Sequence, residues 1–229
     1  MEESFPIDDA ADSLIKQGYF VYDGFLSSGL ANNEDDFGDG LLTEMFEEGI
    51  DMLSNDKLEL DIGRLGEGEF TSLITGGDKY IDCPRLTEYV VCMTRHLPPL
   101  MNKLDTVLSN SASMGSIRMY DRKTKLGTVE LLTKENVDED SADRSFGVIC
   151  EDNNDTRRLT THLFLSSKSW GSACGGGIKM ESGESIGAVR DRLVMLRSDS
   201  CSHRFDTWKG GDDKDLQQAG CVIIHFVKS

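Results

Sequence analysis

The sequence predicts an α+β protein, mainly β in its C-terminal half, in which a jelly roll is braced by N-terminal helices. Apolar residues recur at helical spacing in the first half, and seven segments of strand length follow in the second. Clusters of Gly, Asp, Asn and Ser separate these segments. Short strands after a helical half are typical of a barrel or of two packed sheets with helices on one side.

The first half contains three helical segments. A short helix is centred on Leu14, and a strand follows at 19–22. In the second helix the apolar residues at helical spacing are Leu41, Leu42, Met45, Phe46 and Ile50. The third helical region covers 84–108, with a break or kink at Pro98 and Pro99. The Gly-rich stretch at 61–83 predicts loops and short strands.

The second half changes to the pattern of strands. The seven segments are 115–122, 127–134, 145–152, 159–167, 175–182, 191–198 and 219–228. The acidic run at 135–143 predicts a surface loop between two of them. With 229 residues, the chain suits one domain at 1–229, with helical support over about 1–110 and the jelly-roll core over about 111–229.

Charge and cysteine usage limit the function classes. The formal net charge is −17, which repels the phosphate backbone of nucleic acids and anionic lipids, so neither partner is expected. The N-terminus lacks the basic and apolar regions of a secretory signal, and no apolar run reaches the length of a membrane helix. The six cysteines include no C-x-x-C pair. A cytoplasmic or nuclear protein is expected, with its oligomeric state open.

Three segments, read in order, carry a resemblance to a known family. "RRLTTHLFLSSKSWGSACGGGIKM" and "IGAVRDRLVMLRSDSCSHRF" follow one another in the second half, and "SIRMYDRK" lies before them. This order and spacing resemble the prolyl hydroxylase branch of the iron(II) and 2-oxoglutarate dependent oxygenases, especially the intracellular hypoxia-sensing type. The resemblance covers 13–227 and implies a double-stranded β-helix, the jelly roll of that family.

The resemblance implies metal ligands at Cys150, Asp152 and His203. In the family, two imidazoles and one carboxylate hold iron(II), so Cys150 stands where a histidine is expected. A thiolate is softer than imidazole and is oxidised easily. Cys150 therefore marks an emptied site, an atypical Cys/Asp/His iron site or a zinc site. The spacing of His162 from Asp152 argues against it as a replacement ligand.

The resemblance also implies a co-substrate pocket. Tyr120 matches a tyrosine that contacts 2-oxoglutarate, and the basic residue of the last strand falls on Gln218, a neutral amide that cannot neutralise a carboxylate. Lys214, four residues earlier, is the alternative cation. Its acidic neighbours favour an exposed loop lysine instead.

Two functions from different classes follow. The first is an oxygenase that hydroxylates a protein side chain with iron(II), 2-oxoglutarate and ascorbate as reductant, and whose activity is impaired or altered. The second is an inactive relative that keeps the fold as a binding or scaffolding module for a protein or peptide. A zinc or redox-sensing site is a third hypothesis. The chain has no G-x-S-x-G elbow, and Gly175, Gly176 and Gly177 lack the Lys of a phosphate loop, so hydrolase and nucleotide-binding functions are disfavoured.

Overall fold

The structure is a computed structural model that describes residues 5–29, 37–60, 69–74, 77–122 and 156–228. Its helices are α1 (Ile7–Gln17), α2 (Phe25–Gly29), α3 (Phe37–Ser54), α4 (Asp78–Asp82) and α5 (Pro84–Leu100). Its strands are β1 (Tyr19–Asp23), β2 (Glu59–Leu60), β3 (Glu69–Ile74), β4 (Leu108–Asp121), β5 (Arg157–Phe164), β6 (Ile178–Met180), β7 (Ser185–Ile186), β8 (Arg192–Arg197), β9 (His203–Phe205) and β10 (Gln218–Lys228). No helix in these ranges is long and apolar enough to cross a membrane.

The described strands form two antiparallel sheets. The larger has seven strands in the order β1-β8-β5-β10-β4-β3-β2, and the smaller has three in the order β7-β6-β9. Strand β10, the last in the chain, lies at the centre of the larger sheet between β5 and β4. The predicted α+β class with a jelly roll is confirmed. Strands β1, β2 and β3 of the helical half also join the larger sheet.

Helices cover one face of the larger sheet. The apolar faces of α3 and α5, which include Leu42, Met45 and Val90, pack in one core with the inner residues of β4 and β10. Along β10 the residues on this face are Val222, Ile224 and Phe226, all fully buried. Because successive residues of a strand face opposite sides, the alternate residues of β10 point away from the helices.

The smaller sheet covers the other face. Ala219, Cys221 and Ile223 of β10 belong to a second core, together with Ile178 and other residues of the smaller sheet and its loops. Two apolar cores therefore lie on opposite faces of the larger sheet, and β10 contributes side chains to both. Residues between the two sheets are enclosed on both sides, and this space is where the fold can build a site.

Five of the seven predicted strands lie in the described residues and are confirmed as β4, β5, β6, β8 and β10. The segments predicted at 127–134 and 145–152, and the acidic run at 135–143, lie outside the described residues. The structure adds β7 and β9, which the sequence did not predict. These strands have two and three residues, so neither is long enough to show an alternating pattern.

The helix predicted to break at Pro98 and Pro99 continues through both residues and ends at Leu100. Neither proline has an N–H to donate to the carbonyl four residues earlier, so these two hydrogen bonds are missing and the helix ends one residue after Pro99. The Met101 N–H then donates to the carbonyl of Leu97 at 3.0 Å and closes the helix. The segment up to 108 is therefore not helical throughout, and β4 begins at Leu108.

Candidate functional site between the two sheets

His203 is the predicted metal ligand that the structure describes. It begins β9 in the smaller sheet, and its side chain is 7% exposed. Its Nδ1 lies 2.8 Å from the Cys201 carbonyl oxygen, which can only accept, so Nδ1 carries the proton. In the neutral imidazole the lone pair is then on Nε2, the arrangement that metal-binding histidines adopt. Burial raises the pKa of the Cys201 thiol to about 11, so this thiol stays protonated at neutral pH.

The other two predicted ligands, Cys150 and Asp152, lie outside the described residues. Within the described part of the chain, no group of three His, Cys, Asp or Glu side chains is arranged to hold a metal ion. His203 fits the role of a ligand by its tautomer and burial, and the remaining ligand set stays a prediction.

The other histidines occupy different environments. His162 is on β5, faces the space between the sheets and is almost fully buried, with its ring centroid 4.9 Å from that of Phe205 in an edge-to-face contact. His225 is half-buried, and its Nδ1 lies 2.8 Å from the Thr160 hydroxyl. His96 is exposed on α5.

Tyr120 is fully buried on β4, facing the smaller sheet. Its hydroxyl donates to the Lys209 carbonyl oxygen at 2.9 Å. Its ring stacks on Trp208 with centroids 6.1 Å apart, and Trp170 meets it edge-on at 6.2 Å. Burial raises the pKa of the Tyr120 hydroxyl, so the group stays protonated. Its one proton is used within the chain.

Gln218 and Lys214 do not converge on Tyr120. In the pairing of β10 with β4, Gln218 is opposite Asp121, and Ala219 is opposite Tyr120. Gln218 lies four residues before Val222 on β10, so its side chain is on the same face of the strand as Val222, which faces the helices. Lys214 begins a short 3₁₀ turn (Lys214–Leu216), and its side chain is exposed. Ala219 and Cys221 are the residues of β10 that face the predicted co-substrate region.

Sequence reasoning missed Trp208, which is 1% exposed and packs beside Tyr120. Trp170 meets the Trp208 ring edge-on at 5.6 Å and donates from Nε1 to the Gly175 carbonyl at 3.1 Å. A side chain at Gly176 would overlap the Trp208 ring, since an added Cβ would lie 2.1 Å from it. The run of three glycines at 175–177 is a sequence signal for this contact, because glycine lets the backbone approach a large aromatic ring.

An ion pair is buried in the same space. Arg118 on β4 is 2% exposed and Glu69 on β3 is 0% exposed, with Arg118 Nη2 3.2 Å from Glu69 Oε2. The Arg118 guanidinium carbon lies 5.5 Å from the centroid of the Phe205 ring. Phe205 therefore contacts Arg118, His162 and His203, its centroid lying 6.3 Å from that of the His203 ring. No local sequence pattern singles out Arg118 or Glu69, which are far apart in the chain.

Solved structures of prolyl hydroxylases share this architecture. A prolyl-4-hydroxylase from Pseudomonas putida superposes with a TM-score of 0.67 at 15% identity, covering 97% of this chain and 99% of that chain. A prolyl hydroxylase from Trichoplax adhaerens, solved with a hypoxia inducible factor peptide fragment, gives a TM-score of 0.66 at 14% identity, covering 97% and 89%. The chain has the prolyl 4-hydroxylase fold. No family model and no curated protein matches the sequence.

The prolyl 4-hydroxylase fold implies 2-oxoglutarate as co-substrate, but the described residues do not fit it. The Tyr120 hydroxyl already donates to Lys209, and Trp208 covers the Tyr120 ring. The two inward residues at the start of β10, Ala219 and Cys221, carry no positive charge, and the buried Arg118 in the same space is paired with the Glu69 carboxylate. Among the described residues, the Tyr120 hydroxyl is thus engaged within the chain, and the co-substrate contacts Tyr120, Gln218 and Lys214 stay predictions.

Gly176→Ala is expected to destabilise the prolyl 4-hydroxylase fold of this chain by about 3 kcal/mol or more. Gly176 has φ +77, and an added Cβ would overlap the Trp208 ring, so backbone strain and overpacking act together. Urea unfolding measures the loss. Gly171→Ala is the control, because nothing lies within 4 Å of its added Cβ and its φ is −114. Equal stability of the two variants would contradict the close packing of Gly176 on Trp208.

Proposed function

We propose that this protein is a member of the iron(II) and 2-oxoglutarate oxygenase group with impaired or absent turnover of 2-oxoglutarate, and that it acts by binding a protein or peptide. The observation that carries the proposal is that Tyr120 is already bound by contacts within the chain. Its hydroxyl bonds to the Lys209 carbonyl at 2.9 Å, and Trp208 stacks on its ring in a fully buried contact. A co-substrate would have to displace both.

A metal ion remains compatible with this proposal. The residues that would hold it are Cys150, Asp152 and His203, and a thiolate, a carboxylate and an imidazole suit zinc as well as iron. The protonation of His203 at Nδ1 supports its part in such a site. When bound, an iron ion with 2-oxoglutarate would supply oxygen activation. The described residues give no support to co-substrate binding.

The proposed partner is a protein or peptide. The fold neighbour from Trichoplax adhaerens was solved with a peptide fragment, which supports a protein or peptide as the partner of this chain. The net charge of −17 disfavours nucleic acid and favours a partner segment with basic residues.

The test is anaerobic addition of iron(II) and then 2-oxoglutarate to the purified protein, watched for the visible charge-transfer band of chelated co-substrate. We expect no band, because the Tyr120 hydroxyl and the start of β10 do not hold the carboxylate. A prolyl 4-hydroxylase in the same buffer is the positive control. A band that disappears in Asp152→Ala would overturn the proposal and show that the site assembles with Cys150 as it stands. Metal analysis of the same sample reports whether iron or zinc is retained.

A further inference from the structure

Arg118 and Glu69 form a charged pair in the apolar space between the two sheets. In the pairing of β3 with β4, Arg118 is opposite Thr71 and Tyr120 is opposite Glu69. Glu69 and Arg118 are thus diagonal neighbours on the same face, a separation that long side chains can bridge. Arg118 Nη2 lies 3.2 Å from Glu69 Oε2, and both side chains are at least 98% buried. Neither charge is screened by water.

The surroundings of Arg118 are those of a binding site rather than of a surface ion pair. One neighbour is Phe205, over whose ring the guanidinium carbon lies at 5.5 Å. On the other side of β4, Arg118 is opposite Cys221 of the central strand β10. A buried ion pair commonly adds little stability relative to an apolar pair of similar volume, so structure alone gives weak reason for this one. A desolvated guanidinium, in contrast, is a strong and specific hydrogen-bond donor to a carboxylate.

We propose that Arg118 is a binding site for a small carboxylate, and that the Glu69 side chain occupies this site as an internal ligand. The site is distinct from the predicted co-substrate contacts Tyr120, Gln218 and Lys214. The Glu69 carboxylate takes the place that an external carboxylate would fill. The intact chain therefore shows no affinity for free carboxylates at Arg118 while Glu69 is in place.

The geometry of the pair defines the ligand. Glu69→Ala removes the side chain beyond Cβ, which is one methylene and one carboxylate, the heavy atoms of acetate. Acetate therefore matches the vacated volume and charge. Acetamide has nearly the same shape without the charge, which makes it the matched control ligand.

The experiment measures the thermal unfolding midpoint of Glu69→Ala against acetate, acetamide and chloride at constant ionic strength. We expect the midpoint to rise with the logarithm of acetate concentration once this exceeds Kd, as for any ligand of the native state, and to be unchanged by acetamide. Wild type and Glu59→Ala, an exposed glutamate on β2, are expected to show no response specific to acetate. The double variant Glu69→Ala/Arg118→Met is expected to lose the response.

Three results would overturn the proposal. One is a folded Glu69→Ala that responds to acetate no more than to chloride. Another is a double variant that responds as strongly as Glu69→Ala, because Arg118 would then not be the site. If Glu69→Ala does not fold alone, its refolding yield is measured with acetate and with acetamide, and equal yields would identify the pair as purely structural. The measurement uses neither metal nor 2-oxoglutarate, so its outcome is separate from that of the charge-transfer experiment.

Discussion

Trp208→Ala is expected to lower the free energy of unfolding by about 3–5 kcal/mol, the range for removing a large aromatic side chain from a core. Trp208 is 1% exposed and contacts Tyr120 and Trp170 with its ring. The loss combines the transfer of the indole to water with the cavity left beside Tyr120. Urea unfolding followed by circular dichroism gives the value, since fluorescence would itself change with the loss of a tryptophan.

Two controls make the Trp208 result specific. Tyr80 is an aromatic residue on α4 that is 50% exposed, and Tyr80→Ala is expected to cost much less. Indole added to Trp208→Ala is expected to raise its unfolding midpoint, because a buried apolar cavity binds a ligand of matching shape. A Trp208→Ala variant as stable as Tyr80→Ala would show that Trp208 does not close the space beside Tyr120, and the proposed loss of co-substrate binding would lose its support.

Arg118→Met is expected to destabilise the protein by about 3–5 kcal/mol, because it leaves the Glu69 carboxylate buried without its cation. Arg118 and Glu69 are 2% and 0% exposed, so water cannot solvate the remaining charge. The double variant Arg118→Met/Glu69→Leu is expected to recover much of this loss, because an apolar pair replaces the ion pair. Chemical denaturation of the two single variants, the double variant and wild type gives the coupling free energy.

The control for this cycle is an exposed ion pair. Lys16 and Asp12 lie 3.6 Å apart on α1 with side chains that are 75% and 64% exposed, so Lys16→Ala is expected to leave stability nearly unchanged. If Arg118→Met were as mild as Lys16→Ala, the buried pair would not be the charged contact that the structure describes. Absence of recovery in the double variant would indicate instead that the Arg118 side chain matters mainly for packing.

The sequence alone was enough to predict the fold class and the long elements. The periodic apolar residues of α3 and α5 and the alternating or continuous apolar runs of β5, β8 and β10 are local signals, and each element formed where its signal lay. The order of the C-terminal segments also indicated the family whose fold the structure neighbours share. His203 was identified by its place in that order and lies buried between the sheets.

The character of the site was decided only by the tertiary structure. Glu69 and Arg118 are 49 residues apart in sequence, and only the pairing of β3 with β4 brings them together. Gln218 and Ala219 are adjacent in sequence, but the register of β10 places only Ala219 opposite Tyr120, because a shift of one residue changes the face of a strand. Trp208 covers Tyr120 because Gly176 leaves room for its ring. The local sequence pattern predicts which residues form helix or strand. Contacts between distant strands depend on the register and packing of the whole sheet, which no short segment determines.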